Sequence, residues 1–328
     1  LGQLDAAVKS YEKALAIKPN YAEAFNNLGI SLKELGQLDT AVNSYKKVLA
    51  INPDFAEAHF NLAVTLQELG QLDDAIKCYE KAITIKPDYA EAHNNLGVTL
   101  KELGQLDDAV KSYEKALDLK PDYAYAHNNL GNAFKDLGQL DAAVESYEKA
   151  IALNPDYANA HNNLGITLKD LNQLDDAVKS YEKAIAIKPD HVEAHNNLGN
   201  ALNELGQLDE AIKCYEKTLA IKPDYAEVHN NLGLSFMELG QLDDAIKCYE
   251  KTLTIKPDYA EAHNNLGLAL MELGQPDASI RSLEKALAIK PDFAEAYSNH
   301  GILMAVLKRM DEALTSFERA LVLNPELN

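Results

Sequence analysis

Apolar residues in this chain recur three and four positions apart, in short stretches that stop at a glycine or a proline. In 90–103, His93, Leu96, Gly97, Leu100 and Leu103 fall on one face of a helix with about 3.6 residues per turn. In the next stretch, Ala109, Val110, Tyr113, Ala116 and Leu117 do the same. Punctuation between them fits two helices. Asp88 and Glu91 form an Asp-x-x-Glu capping pattern before the first helix. Gly104 stands where a helix end needs a positive φ. Asp107 and Asp108 suit the positive end of the second helix's dipole. That helix ends at Lys120, because Pro121 disfavours helix at the residue before it. Neither helix can bury its stripe alone, so the pattern predicts an antiparallel pair that stacks on its neighbours.

The pair repeats. Ten prolines, at 19, 53, 87, 121, 155, 189, 223, 257, 291 and 325, stand 34 residues apart, and only Pro276 is out of phase. Full units run 22–55, 56–89, 90–123, 124–157, 158–191, 192–225, 226–259, 260–293 and 294–327, after a half unit 1–21 that holds a second helix only. A fixed period of this length predicts an all-α solenoid rather than a globular domain. The chain opens at "LGQLDAAVKS", inside a unit, so its true start is expected to lie upstream.

Composition narrows the partners. With 47% hydrophobic residues there is enough to form a core, and the net charge is −20. An evenly acidic surface repels phosphate backbones and anionic headgroups, which argues against nucleic acid and membrane surfaces. No apolar run approaches the roughly 18 residues needed for a membrane span. The partners expected are protein or peptide segments.

These residues resemble the tetratricopeptide repeat family. Its pattern, Trp-x2-Leu-Gly-x2-Tyr, then Ala-x3-Phe, then Pro, is met by His93, Leu96, Gly97, Leu100, Ala109, Tyr113 and Pro121. The resemblance covers 1–327. Two departures are systematic: His replaces Trp in seven units, and Leu or Phe usually replaces Tyr. The resemblance implies a right-handed α-α superhelix of antiparallel helix pairs, whose first helices line a concave groove that binds peptides.

"HNNLG" recurs six times although Asn is a poor helix-interior residue. Counted from the first residue of each unit, position six holds Asn27, Asn61, Asn95, Asn129, Asn163, Asn197, Asn231, Asn265 and Asn299. Position five is looser, with Phe60 and Ser298 among its asparagines. Position six shares a stripe with positions two, nine, twelve and thirteen, away from the Leu/Gly packing face. Stacked at the repeat spacing, these amides form a ladder. Each offers an acceptor and two donors, so it can pair with both polar groups of a peptide bond. The same amides can instead bridge adjacent first helices, and both roles stand open. The array is similar to the substrate-docking arm of the protein O-GlcNAc transferases, in which such a ladder holds extended polypeptide.

The rest of the stripe varies along the chain. Lys101, Lys135 and Lys169 make a basic row at position twelve, flanked by Glu102, Asp136 and Asp170. Farther on, Leu234, Met237, Leu268 and Met271 make an apolar patch beside Asn231 and Asn265. Met is adaptable at binding surfaces. A bound segment is expected to place apolar side chains near the methionines and acidic or polar ones near the lysines. The family's clamp for C-terminal carboxylates needs a basic cluster, and here position thirteen is acidic in eight of nine units.

Other candidates reduce to packing. His59, His93, His127, His161, His195, His229 and His263 recur at a core position, one unit apart and too distant to share a metal. His191 and His195 have a metal-like spacing but no third ligand in the sequence. Cys78, Cys214 and Cys248 replace Ser, and a disulfide needs Cα atoms within about 7 Å. Free thiols fit a reducing compartment, so the cytoplasm is favoured. No phosphate loop and no nucleophile–base pair is present, so no cofactor and no enzymatic activity are expected. Two functions compete: a free-standing scaffold, or the docking arm of a larger enzyme such as a protein glycosyltransferase. The last helix is expected to present Leu314, Phe317 and Leu321, which adds a third possibility, head-to-tail self-association.

Overall fold

The computed structural model describes residues 2–326. Every regular element among them is an α-helix. The chain forms two compact units, one up to Thr167 and the other from Leu168. The first holds α1 (Gly2–Ile17), α2 (Ala22–Glu34), α3 (Leu38–Ile51), α4 (Ala56–Glu68), α5 (Leu72–Ile85), α6 (Ala90–Glu102), α7 (Leu106–Leu119), α8 (Ala124–Asp136) and α9 (Leu140–Leu153). The boundary falls within α10 (Ala158–Asp170). The second holds α11 (Leu174–Ile187), α12 (Val192–Glu204), α13 (Leu208–Ile221), α14 (Ala226–Glu238), α15 (Leu242–Ile255), α16 (Ala260–Glu272), α17 (Pro276–Ile289), α18 (Ala294–Val306) and α19 (Met310–Leu323).

Small residues let the two helices of a pair meet closely. A Cβ on Gly97 would stand 2.7 Å from the Tyr113 ring, and the same holds for Gly131 with Tyr147 and Gly199 with Tyr215. Those tyrosines are fully buried, as are Ala92, Ala109 and Ala116. Gly104 takes φ +75° and closes α6: the Gly104 N–H donates to the Lys101 carbonyl and the Gln105 N–H to that of Leu100, both at 2.9 Å. This is the two-bond helix ending expected at a left-handed residue. Asn172 (φ 60°) and Lys308 (φ 61°) hold the same conformation without being glycine. Pro276 is the first residue of α17, where its missing N–H has no helical partner to lose.

The capping pattern does not form. Tyr89 is the N-cap of α6 and makes no side-chain cap bond. Asp88 lies one residue too early and gives its backbone carbonyl to the Ala90 N–H at 3.1 Å. Glu91 turns instead to Lys120 at 3.2 Å, tying the start of α6 to the end of α7. Leu103 is the C-cap of α6 rather than its last helical residue.

Within each unit, first helices of successive repeats touch: α2–α4, α4–α6 and α6–α8 in one, α12–α14, α14–α16 and α16–α18 in the other. Successive second helices make no such approach among the described residues. First helices therefore form the inner, closer-packed side of each stack. The histidines fasten it. Six donate from Nε2 to the carbonyl of the proline six residues earlier, for example His127 to Pro121 at 3.0 Å and His195 to Pro189 at 2.9 Å. These rings brace the inter-repeat loop on the first helix, which accounts for their recurrence.

Candidate peptide-binding face

The nine position-six asparagines lie on first helices and are all half-buried. They do not stand free. Asn61 donates from Nδ2 to Asn26 Oδ1 at 3.1 Å, Asn129 to Asn94 at 3.1 Å, and Asn163 to Asn128 at 3.2 Å. In the second unit, Asn265 donates to Asn230 at 3.1 Å and Asn299 to Asn264 at 2.8 Å. Each acceptor is the position-five asparagine of the preceding repeat. Asn26, Asn94, Asn128, Asn230 and Asn264 are all buried. Position five, which looks loose in sequence, is thus the structural half of the pair.

The bridging role is therefore filled at Asn61, Asn129, Asn163, Asn265 and Asn299, while Asn163 and Asn231 also donate to the position-nine Asn132 and Asn200, both at 3.1 Å. The carbonyl oxygens of Asn61, Asn129, Asn163, Asn231 and Asn299 accept no hydrogen bond among the described residues. At Asn265 and Asn95 the carbonyl accepts from the preceding residue, from Asn264 at 3.4 Å and from Asn94 at 3.0 Å, and Asn95 lacks the bridge as well. Its preceding partner would be Phe60, which has no amide and packs instead on Tyr79 and Tyr89.

The basic row is neutralised from within. Lys101 lies 2.7 Å from Asp136, and Lys169 lies 2.7 Å from Glu204. Lys33 pairs with Glu68 at 2.9 Å, and Gln67 donates to Glu102 at 2.9 Å. Lys135 approaches Asp136 at 4.0 Å. In four of these five contacts position twelve meets position thirteen of the following repeat. The lysines therefore hold the acidic row more than they offer free positive charge.

The apolar patch sits in the second unit as half-buried side chains, not as exposed ones. Met237 packs against the core cluster that holds Leu266 and Leu270 and takes the Tyr249 hydroxyl on Sδ at 3.8 Å. Met271 packs against the cluster that holds Leu283 and Leu303. Leu234 and Leu268 are half-buried beside them. With Asn203 and Met237 at position twelve, the cross-repeat ion pair is lost, and Glu238 and Glu272 are exposed with no ion-pair partner among the described residues. Leu234 also edges a cavity of about 260 Å³ lined by Lys169, Asn200, Asn203, Glu204, Tyr215 and Asn231. Asn200 Oδ1 accepts there from the Tyr215 hydroxyl at 2.8 Å and from Asn231 at 3.1 Å. Asn203 Oδ1 is buried without a partner.

One surface aromatic escaped the sequence reading. Tyr125, 58% exposed, takes the position-two place that Glu holds in most repeats, and packs edge-on against Tyr157 at 5.1 Å. The signal was present as the one aromatic in that column. Among the other candidates, His191 Nδ1 lies 3.2 Å from Glu193 while His195 is held by Pro189, so the pair does not converge. The three cysteines are free and half-buried, and burial pushes each thiol up to about 11.

Family models for the "TPR repeat" match 1–36, 31–70, 65–104, 99–138, 131–171, 167–203, 199–240 and 233–274, and one for the "Tetratricopeptide repeat" matches 260–293. A comparison with curated protein sequences finds no match. Among solved structures, MamA is 30% identical, over 51% of this chain and 97% of its own, with a TM-score of 0.48. YrrB, described as a TPR protein with an unusual peptide-binding site, is 26% identical over 56% of this chain and 95% of its own, at 0.49. The APC/C hetero-tetramer Cut9–Hcn1 is 15% identical over 97% of this chain and 78% of its own, at 0.56, a likeness of fold alone. With its helix pairs and family matches reaching from residue 1 to 293, the chain belongs to the tetratricopeptide repeat family.

Proposed function

We propose that this protein is an interaction scaffold that holds extended polypeptide along its first-helix faces. The observation that carries the reading is the column of half-buried position-six asparagines, of which Asn61, Asn129 and Asn163 keep carbonyl oxygens that accept no hydrogen bond among the described residues. Each added amide–peptide hydrogen bond contributes roughly 0.5–1.5 kcal/mol net, so several in register hold a chain whatever its side chains. Side-chain preference comes from the neighbours. Leu234, Met237, Leu268 and Met271 receive apolar groups in the second unit. Lys101, Lys135 and Lys169 meet acidic groups only by exchanging a carboxylate they already hold.

Two variants separate binding from bridging. Asn61, Asn129 and Asn163 changed together to Ala break the bridges to Asn26, Asn94 and Asn128. Asn26, Asn94 and Asn128 changed to Ala break the same bridges from the other side. Peptides selected from a random 12-residue display library serve as the probe, with affinity read by calorimetry. The two triple variants should lose comparable melting temperature, and only the position-six set should lose more than about tenfold in affinity. Equal affinity in both sets would falsify the amide reading.

A second reading, association of copies through their ends, is favoured by Met310, Leu314, Leu321 and Val322, which are all exposed on α19. Phe317 is not part of that surface, since it packs over Gly301. Salt-dependent sedimentation tests it, as argued below.

A further inference from the structure

Three cavities open at one register between successive second helices, away from the asparagine rows. In the first unit a cavity of about 400 Å³ is lined by Ile83, His93, Leu96 and Lys115. In the second unit one of about 400 Å³ is lined by Ile185, His195, Leu198 and Lys217. Another of about 520 Å³ is lined by Leu253, His263, Leu266 and Lys285. Corresponding residues differ by whole multiples of the repeat, so the cavity belongs to the repeat and not to a local accident.

The chain itself shows what fills such a site. In repeat 22–55 the residue equivalent to His93 is Phe25, and that equivalent to Lys115 is Lys47. Phe25 is half-buried against the core cluster that holds Leu28, and Lys47 Nζ sits over its ring at 5.2 Å from the centroid. Where His replaces the ring, the imidazole is drawn to the proline carbonyl, at 2.9 Å for His195 and 3.0 Å for His263. A smaller side chain held to one side leaves the floor open. Burial lowers the pKa of His93 and His263, so these floors are uncharged at neutral pH and accept an apolar cover. Of the rim lysines, Lys115 lies 3.9 Å from Asp118, while Lys217 and Lys285 have no ion-pair partner among the described residues. Glu80, Glu182 and Glu250 stand on the opposite walls and disfavour an anion. A neutral ring beneath a lysine satisfies both walls, since a cation over an aromatic face is attracted to it.

We propose that each of these cavities docks an aromatic side chain of a partner polypeptide, the ring seated on the His–Leu floor beneath the rim lysine as Phe25 sits beneath Lys47. The surface is independent of the asparagine face, so the chain carries two binding faces.

The test titrates the whole chain with N-acetyl-phenylalanine amide and with its cyclohexylalanine counterpart, read by NMR. Ring-current shifts are expected at the imidazoles of His93, His195 and His263, and the cyclohexyl compound should bind about threefold more weakly for want of a π face. His195→Phe supplies the cavity's own ring, as in repeat 22–55, and should abolish the shifts at Leu198 and Cys214 while His93 and His263 still respond. Lys217→Ala, at the rim, should keep the fold and weaken the response at Leu198 about threefold. Unmoved histidine resonances at saturating compound, or shifts confined to Asn231 and Asn265, would overturn the proposal. So would an unchanged response at Leu198 in both variants.

Discussion

At the residue scale, single positions show both what the sequence discloses and what it hides. Gly104 and its equivalents were readable, because a positive φ at a helix end nearly demands glycine. Lys308 holds φ 61° with a side chain that has no local hydrogen bond to compensate, a conformation that costs roughly 1–2 kcal/mol for a residue with a Cβ. Lys308→Gly should therefore raise the melting temperature, and Asn172→Gly should do so less, because Asn tolerates this region. Calorimetric melting of both variants checks the order; a fall for Lys308→Gly would contradict the strain argument. The role of the position-five asparagines is hidden in the sequence for a physical reason. Their partner stands 35 residues away, one more than the repeat, so a column-by-column reading separates the two halves of each bridge. Amide direction is also set by packing, which no column records. The unbroken column is the half that faces outward, and the buried half tolerates Phe60 because an aromatic cluster replaces the bridge there.

At the element scale, helix existence follows from apolar spacing and helix ends from Gly and Pro, and both were legible. The N-terminal cap was not. Asp88 and Glu91 have the spacing of a capping box, but α6 starts one residue later than that box requires, and Glu91 is taken by Lys120. The histidines were legible as packing residues, while their bond to the preceding proline loop was not, since it depends on the loop's path. That bond carries a pH consequence. Burial lowers the pKa of His93 and His263, so the unfolded chain takes up protons first as pH falls. Their contribution is complete above the ordinary histidine value of about 6.5 and is lost as pH falls toward the lowered folded values. Melting temperature should drop by about 1–3 °C between pH 7.5 and pH 5.5, before carboxylates titrate. A variant with Phe at both positions, as at Phe25, should show a flatter profile. A profile as steep as the parent's would place the effect on other groups.

At the scale of the whole molecule, charge and apolar surface oppose each other. Acidic residues number 51 against 31 basic ones, and the ion pairs along the first helices cannot balance that surplus. Two copies repel over a range of about 30 Å at 0.01 M salt and about 8 Å at 0.15 M. Against this, α18 and α19 expose Val306 (69%), Met310 (59%), Leu314 (60%) and Val322 (72%). Contact of this face with a different surface of another copy would be heterologous and need not close, giving chains of copies rather than a fixed dimer. The charge term fades with salt while the apolar term does not, and the two therefore separate in one experiment. Sedimentation should give a monomer at 0.01 M sodium chloride and a growing, concentration-dependent distribution at 0.5 M. Leu314→Glu with Leu321→Glu should remain monomeric at both, because it adds charge where the contact forms and leaves the buried Ala313, Ser316 and Ala320 untouched. If the parent sediments identically at both salts, the exposed face of α19 does not join copies, and charge repulsion is not what keeps them apart.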